Sequence, residues 1–597
     1  MELKNKKYNL IDTVIICFKI NHWVFWGVLL LTIIGALIPS ALVVMNSAFI
    51  DAALTYAKDK LNFNEVIVSI AKISLTLAVL YFHTIGIQLL YERLDIGLKS
   101  KLYDKFIERS IHLKYEYIEN EETCNLIERI LNRPGLSTIH QSFIHLAGAL
   151  SVVVYLTGLT VTIWKISWWI IPFLVIISIP LIISTNLMSK EVYNSVRWNS
   201  ELARKSNYIE FDMLRGRDLA PERCLFGYTK YFNKQFEKYF MKAVNLENKV
   251  RRKWLIINLI LTAVIIVCCV SVPLLLLTQL KAGTMTLGLF ISVVTAIFQL
   301  EAVLAARIPS LISWLSGDNE YMKDITKFME LEEENSDQKR FGDHVIQTLE
   351  FKDVYFKYPG TATMVLEGIS FKLEKGVHYA IVGKNGSGKS TLTKLMLGLY
   401  EIDKGEILIN GKNIKEYTKQ EIYEFFSLVY QDYAQYAIPV KDNIGIGNIK
   451  ELCNQEKINQ AASLAGIKED IDKLPKGMET PLGKVLDEGV DISGGQWQRI
   501  ALARSLMRDN TVRILDEPTS ALDPLEESKL YSKYKQISKN DTTIFISHRL
   551  GSTKLADKIY VINDGKLVEV GNHNELMKNN GLYSEMFNTQ KEWYDAI

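Results

Sequence analysis

Six apolar runs in the first half of the chain leave it few architectures to choose from. They fall near residues 24–46, 66–90, 142–164, 168–188, 254–278 and 286–308, and each is long enough to cross a bilayer. Peptide groups in hydrocarbon must find hydrogen bonds within their own segment, so runs of this length read as transmembrane helices. Lys4, Lys6, Lys7 and Lys19 precede the first run, as they would in a signal peptide. The stretch from Trp23 to Met45 is long for one, however, and lacks a small-residue cleavage site.

Charge in the gaps sets the topology. The gap between the second and third runs carries Arg93, Lys99, Lys101, Lys105, Arg109, Lys114, Arg129 and Arg133. The gap between the fourth and fifth carries more, from Lys190 and Arg197 to Arg251, Arg252 and Lys253. The gaps after the third and fifth runs offer Lys165 and Lys281. The positive-inside rule therefore places both long gaps and both termini in the cytoplasm of a multi-pass cell-membrane protein. The long gaps are too polar to insert but rich in Glu, Lys, Leu and Arg, which favour helix. The spans are thus expected to run on as helices and to turn back near Tyr115–Thr123 and Phe211–Asp218. Beyond the sixth run, Tyr321 to Asp343 shows Glu332-Glu333-Glu334 and no apolar period, the pattern of a linker.

The formal charge of +2 over 597 residues gives no case for a nucleic-acid partner. Mean hydropathy near zero averages an apolar first half and a mixed second half. None of the six cysteines stands in a C-x-x-C or His-containing metal spacing, and Cys268-Cys269 reads as packing within an apolar run.

The second half carries the chemistry. Residues 383–390 read Gly-Lys-Asn-Gly-Ser-Gly-Lys-Ser, a full G-x-x-x-x-G-K-[ST] loop. Its glycines let backbone N–H groups close around phosphate oxygens, Lys389 reaches the β- and γ-phosphates, and the Ser390 hydroxyl can ligate Mg²⁺. Val377–Val382 is the strand feeding the loop, and Thr391–Leu399 continues as a helix with its N-terminus toward the phosphates. About a hundred residues on comes Ser493-Gly494-Gly495-Gln496, then an apolar run ending in Asp516-Glu517. Ser493 is a good N-cap, and the two glycines let N–H groups approach an anion at the positive end of the helix dipole.

The two motifs in this order resemble the ATP-binding cassette (ABC) superfamily, and the six preceding spans resemble its exporter-type half-transporters. The implied fold class is an α-helical six-span transmembrane domain followed by an α/β P-loop NTPase (ABC) domain. The implied division is a transmembrane domain at 1–320, a linker at 321–345 and a nucleotide-binding domain at 346–597. In this resemblance Tyr358 stacks on adenine, while Gly383, Asn385, Gly386, Ser387, Gly388, Lys389, Ser390 and Thr391 hold the phosphates of ATP. Ser390, Gln431 and Asp516 serve Mg²⁺. Gln431 also touches the attacking water and senses the membrane domain. Glu517 polarises that water, and His548, ending the strand Ile544–Ser547, binds the γ-phosphate. Ser493, Gly494, Gly495 and Gln496 close over the nucleotide of a second chain, and Asp523, in Ser520-Ala521-Leu522-Asp523, contacts that partner. The cytoplasmic turns correspond to coupling helices, and Pro221–Gly227 looks like the segment just after the second.

Two departures stand out: Ile492 replaces the usual leucine before the signature, and Arg513 interrupts an apolar strand. A buried charge needs a partner, so Arg513 is expected to reach the domain edge or a carboxylate. Leu482–Gly489 is longer than the common pattern and, with Gln496-Trp497-Gln498, looks like exporters of nisin-type lantibiotics. About twenty residues precede the first span, too few for a peptidase domain.

One chain covers one face of its ATP, so a dimer with a second half-transporter follows, and complete site residues favour a homodimer over a heterodimer. The expected activity is ATP-driven export of a peptide or amphipathic small molecule, with membrane lipid around it and no nucleic acid. A multidrug or lipid exporter, a siderophore importer with the exporter fold and an ATP-gated membrane protein remain open. A non-transport ABC ATPase is disfavoured by the six spans. Glu301 in the sixth run is costly near mid-membrane. It is expected either to pair with Lys72 or His83 or to line the cavity and favour cationic cargo.

Overall fold

The computed structural model describes residues 5–58, 63–131, 135–164, 169–198, 200–216, 219–334, 345–483, 488–508, 512–516, 542–547 and 552–595. It divides into two compact units, one of 1–112 with 121–332 and the other of 113–120 with 333–597.

The first unit is helical. A short helix α1 (Leu10–Ile20) opens with a reciprocal cap, in which Asn9 accepts from the Asp12 N–H and Asp12 accepts from the Asn9 N–H. The first two spans are α2 (His22–Lys58) and α3 (Phe63–Ile111). After α4 (Tyr115–Glu119), which belongs to the other unit, come α5 (Glu121–Leu131), α6 (Ser137–Trp164) and α7 (Ile170–Trp198). Then follow α8 (Ser200–Asn207), α9 (Ala220–Phe226), α10 (Thr229–Lys281), α11 (Leu287–Ala302) and α12 (Ile308–Glu330). Among the described residues six helical segments are long and apolar enough to span a membrane: α2, α3, α6, α7, α10 and the continuous stretch Leu287–Glu330 that joins α11 to α12.

α3 has 49 residues and α10 has 53. At 1.5 Å per residue they measure about 74 and 80 Å, well over twice the ~30 Å of hydrocarbon. The spans therefore do run on as helices past the bilayer. The chain turns at α4–α5 in one gap. In the other it passes through a π-helical turn, Tyr208–Leu214, into α9. There the Arg223 guanidinium donates to the carbonyls of Met213, Leu214 and Gly216, gathering the C-terminal acceptors that helix geometry leaves over. Residues 217–218 of the expected turn lie outside the described residues.

The expected linker needs correction at its start. Tyr321 to Glu330 is the end of α12, and it buries Met322, Ile325, Phe328 and Met329 on one face. Those positions carry the 3–4 spacing of an amphipathic helix, which the surrounding charges obscured.

The second unit holds two sheets. Strands β1 (Thr348–Phe356), β2 (Leu366–Glu374), β4 (Lys404–Ile409) and β5 (Lys412–Asn413) form an antiparallel sheet in the order β2-β1-β4-β5. The other sheet runs β10-β9-β3-β8-β7-β6, from β3 (His378–Gly383), β6 (Phe426–Val429), β7 (Val512–Asp516), β8 (Thr542–Ile546), β9 (Lys558–Asn563) and β10 (Lys566–Gly571). Its pairs are parallel except β9 with β10. Every residue of β3, β7 and β8 is buried, as expected where helices cover both faces of a parallel sheet. Arg513 does not reach an edge. It is 4 % exposed in β7, between Ser427 of β6 and Thr543 of β8.

Candidate nucleotide site

The order of the parallel strands builds the site. In a sheet of this kind, ligands bind beyond the C-terminal ends of the strands. β3 ends at Gly383, where the phosphate loop begins, and β7 ends at buried Asp516. β6 lies beside β7, with Val429 opposite Leu515, so Gln431 follows β6 at the same edge, where it is exposed. β8 lies between β3 and β7 and runs into Ser547, the residue before His548. Residues 383–390, 431 and 516, separated in sequence, are thereby brought to one edge. Glu517, Asp523 and His548 lie outside the described residues.

The loop fits phosphate. Helix α13 (Lys389–Met396) starts from Gly388, which is left-handed at φ 102° and caps the helix with no side chain. The first N–H groups of α13 are therefore available to an anion. A Cβ on Gly383 would lie 2.2 Å from the Ile562 carbonyl oxygen and 2.7 Å from Ser387 Oγ. Ser387 is 3 % exposed, and its hydroxyl has no hydrogen-bond partner among the described residues. Lys389 folds back over the loop, donating from Nζ to the carbonyls of Gly383 and Lys384 at 2.9 Å each. A backbone cradle, an orphaned hydroxyl and a buried ammonium together suit phosphate oxygens. Ser390 and Asn385 are exposed at the loop, and Thr391 Oγ1 is 3.0 Å from the Tyr358 hydroxyl. No cluster of three or more acidic, His or Cys ligands occurs among the described residues. The hydroxyl, amide and carboxylate of Ser390, Gln431 and Asp516 are hard oxygen donors, the set Mg²⁺ takes alongside phosphate and water.

Ser493 caps the helix Gly494–Leu506 as its sequence suggested. Its Oγ accepts from the Gln496 N–H at 3.3 Å, and its own N–H donates to Gln496 Oε1 at 2.9 Å. Gly494 and Gly495 form the first helical turn with no side chain over it.

Several residues that the motifs do not name tie these parts together. The Tyr433 hydroxyl, two residues past Gln431, donates to the Gly494 carbonyl at 2.8 Å. Arg504 donates to the Asn443 carbonyl at 2.9 Å and to Ala434, and its guanidinium lies 4.8 Å from the Tyr436 ring centre. Residues 433–443 are thus laced to the signature helix. The signal was a lone cation inside Ile500–Leu506, legible only once its neighbours are placed.

A second cluster surrounds Tyr358. Its ring meets Tyr400 edge-on at 5.4 Å, and Lys394 of α13 sits 5.5 Å from its centre. Glu119 of α4 accepts hydrogen bonds from Lys394, Tyr400 and, at 2.9 Å, Tyr115. Burial pushes the Glu119 carboxyl up, but those hydrogen bonds outweigh it and hold the group below the usual carboxylate range. The turn expected at Tyr115–Thr123 therefore begins as a helix anchored on α13, directly behind the phosphate loop. Burial, and then the charges of Asp516 and Glu119, push the Tyr430 phenol up.

Comparison with known proteins accords with this geometry. Residues 366–520 match the model of the ABC transporter family. The chain is 30% identical over 587 residues to the subtilin transport ATP-binding protein SpaT of Bacillus subtilis, spanning 95% of this chain and 92% of that protein. It is 32% identical over 459 residues to the ATP-dependent lipid A-core flippase of Salmonella paratyphi A, spanning 74% and 76% of the two chains. The fold superposes on a bacterial Atm1-family ABC exporter with ATP bound, at a TM-score of 0.77 and 22% identity over 95% of this chain and 98% of that one. With six membrane-spanning helices, a phosphate loop and a signature helix in one chain, and likeness to SpaT running through both halves, this protein belongs to the ABC transporters, as an exporter-type membrane ATPase that binds ATP and couples its hydrolysis to transport.

Proposed function

We propose that two copies of the chain export a peptide or comparable amphipathic molecule across the cytoplasmic membrane. The observation that carries this reading is the likeness to a subtilin transport protein over 95% of the chain, membrane half included. The longer segment 482–489 before the signature points the same way, though residues 484–487 lie outside the described residues.

In this reading the transmembrane domain runs to the end of α12 at Glu330 and the nucleotide-binding domain spans 346–597, with both termini cytoplasmic. Lys389 and the N–H groups of residues 386–390 hold the β- and γ-phosphates, and Tyr358 faces the base. Ser390, Gln431 and Asp516 would hold Mg²⁺, which when bound neutralises charge on the transferring phosphoryl group. Glu517 orients and polarises the attacking water, and His548 braces the γ-phosphate. Ser493, Gly494, Gly495 and Gln496 of the second copy complete each site, with Asp523 at the contact. Closure of the cassettes on ATP drives the helix bundles from inward- to outward-facing, and hydrolysis resets them.

Inside-out vesicles containing the purified chain test the proposal. ATP-dependent accumulation of a leaderless lanthionine peptide, together with a dimer mass in native spectrometry, is the expected result. Absence of peptide uptake with ATP-dependent lipid translocation would transfer the assignment to the second reading. That reading is favoured by the 32% identity to a lipid A-core flippase.

A further inference from the structure

The C-terminal helix Leu582–Asp595 sends Tyr583 into the core of the second unit. The side chain is fully buried, and its hydroxyl lies 2.7 Å from Thr553 Oγ1 and 2.8 Å from His573 Nδ1. A phenol has one O–H to give, so it donates to one of these partners and accepts from the other. The ring is held as firmly as the hydroxyl. Glu569 of β10 accepts from the N–H groups of Leu582 and Tyr583, at 2.5 and 3.3 Å, and fixes the start of the helix. Phe587 stacks on the Tyr583 ring with centres 6.1 Å apart, and His573 meets it edge-on at 5.8 Å.

What Tyr583 holds is the connection between β8 and β9. β8 runs on into buried Ser547, whose N–H donates to the Ile381 carbonyl of β3 at 3.4 Å. At the far end the Asp557 N–H donates to the His378 carbonyl at 2.8 Å, and the His378 N–H donates to Asp557 Oδ2 at 2.9 Å. The connection is thus fastened at both ends to β3, the strand that ends in the phosphate loop. Residues 548–551 lie outside the described residues. Thr553, fully buried in the 3₁₀ turn Ser552–Leu555, adds a third attachment, to the C-terminal helix. It cuts the span between fixed points from 548–556 to 548–552, and that span begins with His548. A group that must meet the γ-phosphate depends on such tethers, because a misplacement of about 1 Å can cost about a hundredfold in rate.

We propose that Tyr583 is a positioning residue for ATP hydrolysis, setting the place of His548 through its bond to Thr553. This rests on the reading of His548 given above and goes beyond it, because it assigns a role to a helix that holds none of the motif residues. ATP binding should not depend on Tyr583, since Lys389 is braced within the phosphate loop itself, on the carbonyls of Gly383 and Lys384.

The test uses the full-length protein in nanodiscs, with a phosphate-release assay beside a fluorescent nucleotide titration. Tyr583→Phe keeps the ring and removes the hydroxyl. We expect kcat to fall about tenfold while KM and nucleotide affinity stay within about twofold, the pattern of an interaction that serves the transition state. Thr553→Val breaks the same bond from the other side and should match it, and the double variant should be no slower than either single one. Thr589→Ala, exposed on the same helix, should leave kcat unchanged. The deciding comparison is made on His548→Ala, whose residual rate Tyr583→Phe should not lower further. An unchanged kcat in Tyr583→Phe, a further tenfold loss on His548→Ala, or a loss of nucleotide affinity equal to the loss of kcat overturns the proposal. A His548→Ala protein as fast as the wild type would instead refute the role of His548, and the proposal with it. If Tyr583→Phe fails to fold, Thr553→Val carries the same comparison.

Discussion

Replacing Glu119 by glutamine removes the charge at the centre of the α4–α13 anchor and leaves its shape. The carboxylate accepts from Lys394, Tyr400 and Tyr115, and the Glu119 and Lys394 side chains are 36% and 22% exposed. A fully exposed ion pair contributes about 0–1 kcal/mol, while a hydrogen bond to a charged acceptor contributes about 1.5–3 kcal/mol. Partial exposure here puts the expected loss at about 1–2 kcal/mol. Glutamine keeps one acceptor oxygen, so the two tyrosines cannot both be served as they are now. A double-mutant cycle of Glu119→Gln with Tyr400→Phe, read by denaturant unfolding of the full-length protein, should give a coupling of about 1 kcal/mol. Because α4 lies between the second span and α5 in the chain, cargo-stimulated ATPase activity should fall more than basal activity. The pH dependence has a definite sign. The folded-state carboxyl is held below its ordinary range, so its contribution is complete above that range and is lost as pH falls through the lowered value. Glu119→Gln should remove that acid limb. Additive single-mutant effects, with basal and stimulated rates falling alike, would refute the reasoning.

Two further outcomes follow from the nucleotide edge. Glu517→Gln should bind ATP but turn it over at least about a hundredfold more slowly, as expected when a water-positioning group is lost. Lys389→Ala should weaken nucleotide binding itself, and a fluorescent nucleotide titration beside a phosphate-release assay separates the two. Gly388→Ala puts a Cβ 2.6 Å from Leu366 Cδ2 at φ 102°, which should destabilise the nucleotide-free protein by about 2 kcal/mol in thermal unfolding and impair ATP binding.

The amino-acid sequence by itself determined the two-part architecture, because the parts obey local rules. Helices are forced wherever apolar runs must satisfy their own backbone, and a glycine-rich loop with Lys and Ser is written in consecutive residues. The Ser493 cap was legible for the same reason, since its partner Gln496 is one turn away. The end of α12 was not, because its apolar face is diluted by charges that point elsewhere and only packing shows which face counts. Tertiary structure alone decided what depends on strand order and helix crossing. It was the sequence β3-β8-β7-β6 that set Gly383, Asp516 and Gln431 at one edge, although they are far apart in the chain. Glu301 shows the limit most clearly. Gln299, Ala302 and Val303 line an intramembrane cavity and Glu301 does not, since each step of a helix turns a side chain by about 100°. Neither expected partner holds it: among the described residues Glu301 has no ion pair, and both His83 ring nitrogens are without hydrogen bonds. The charge that faces the cavity is Arg307, of opposite sign, placed there by a π-helical turn whose register residue order does not reveal.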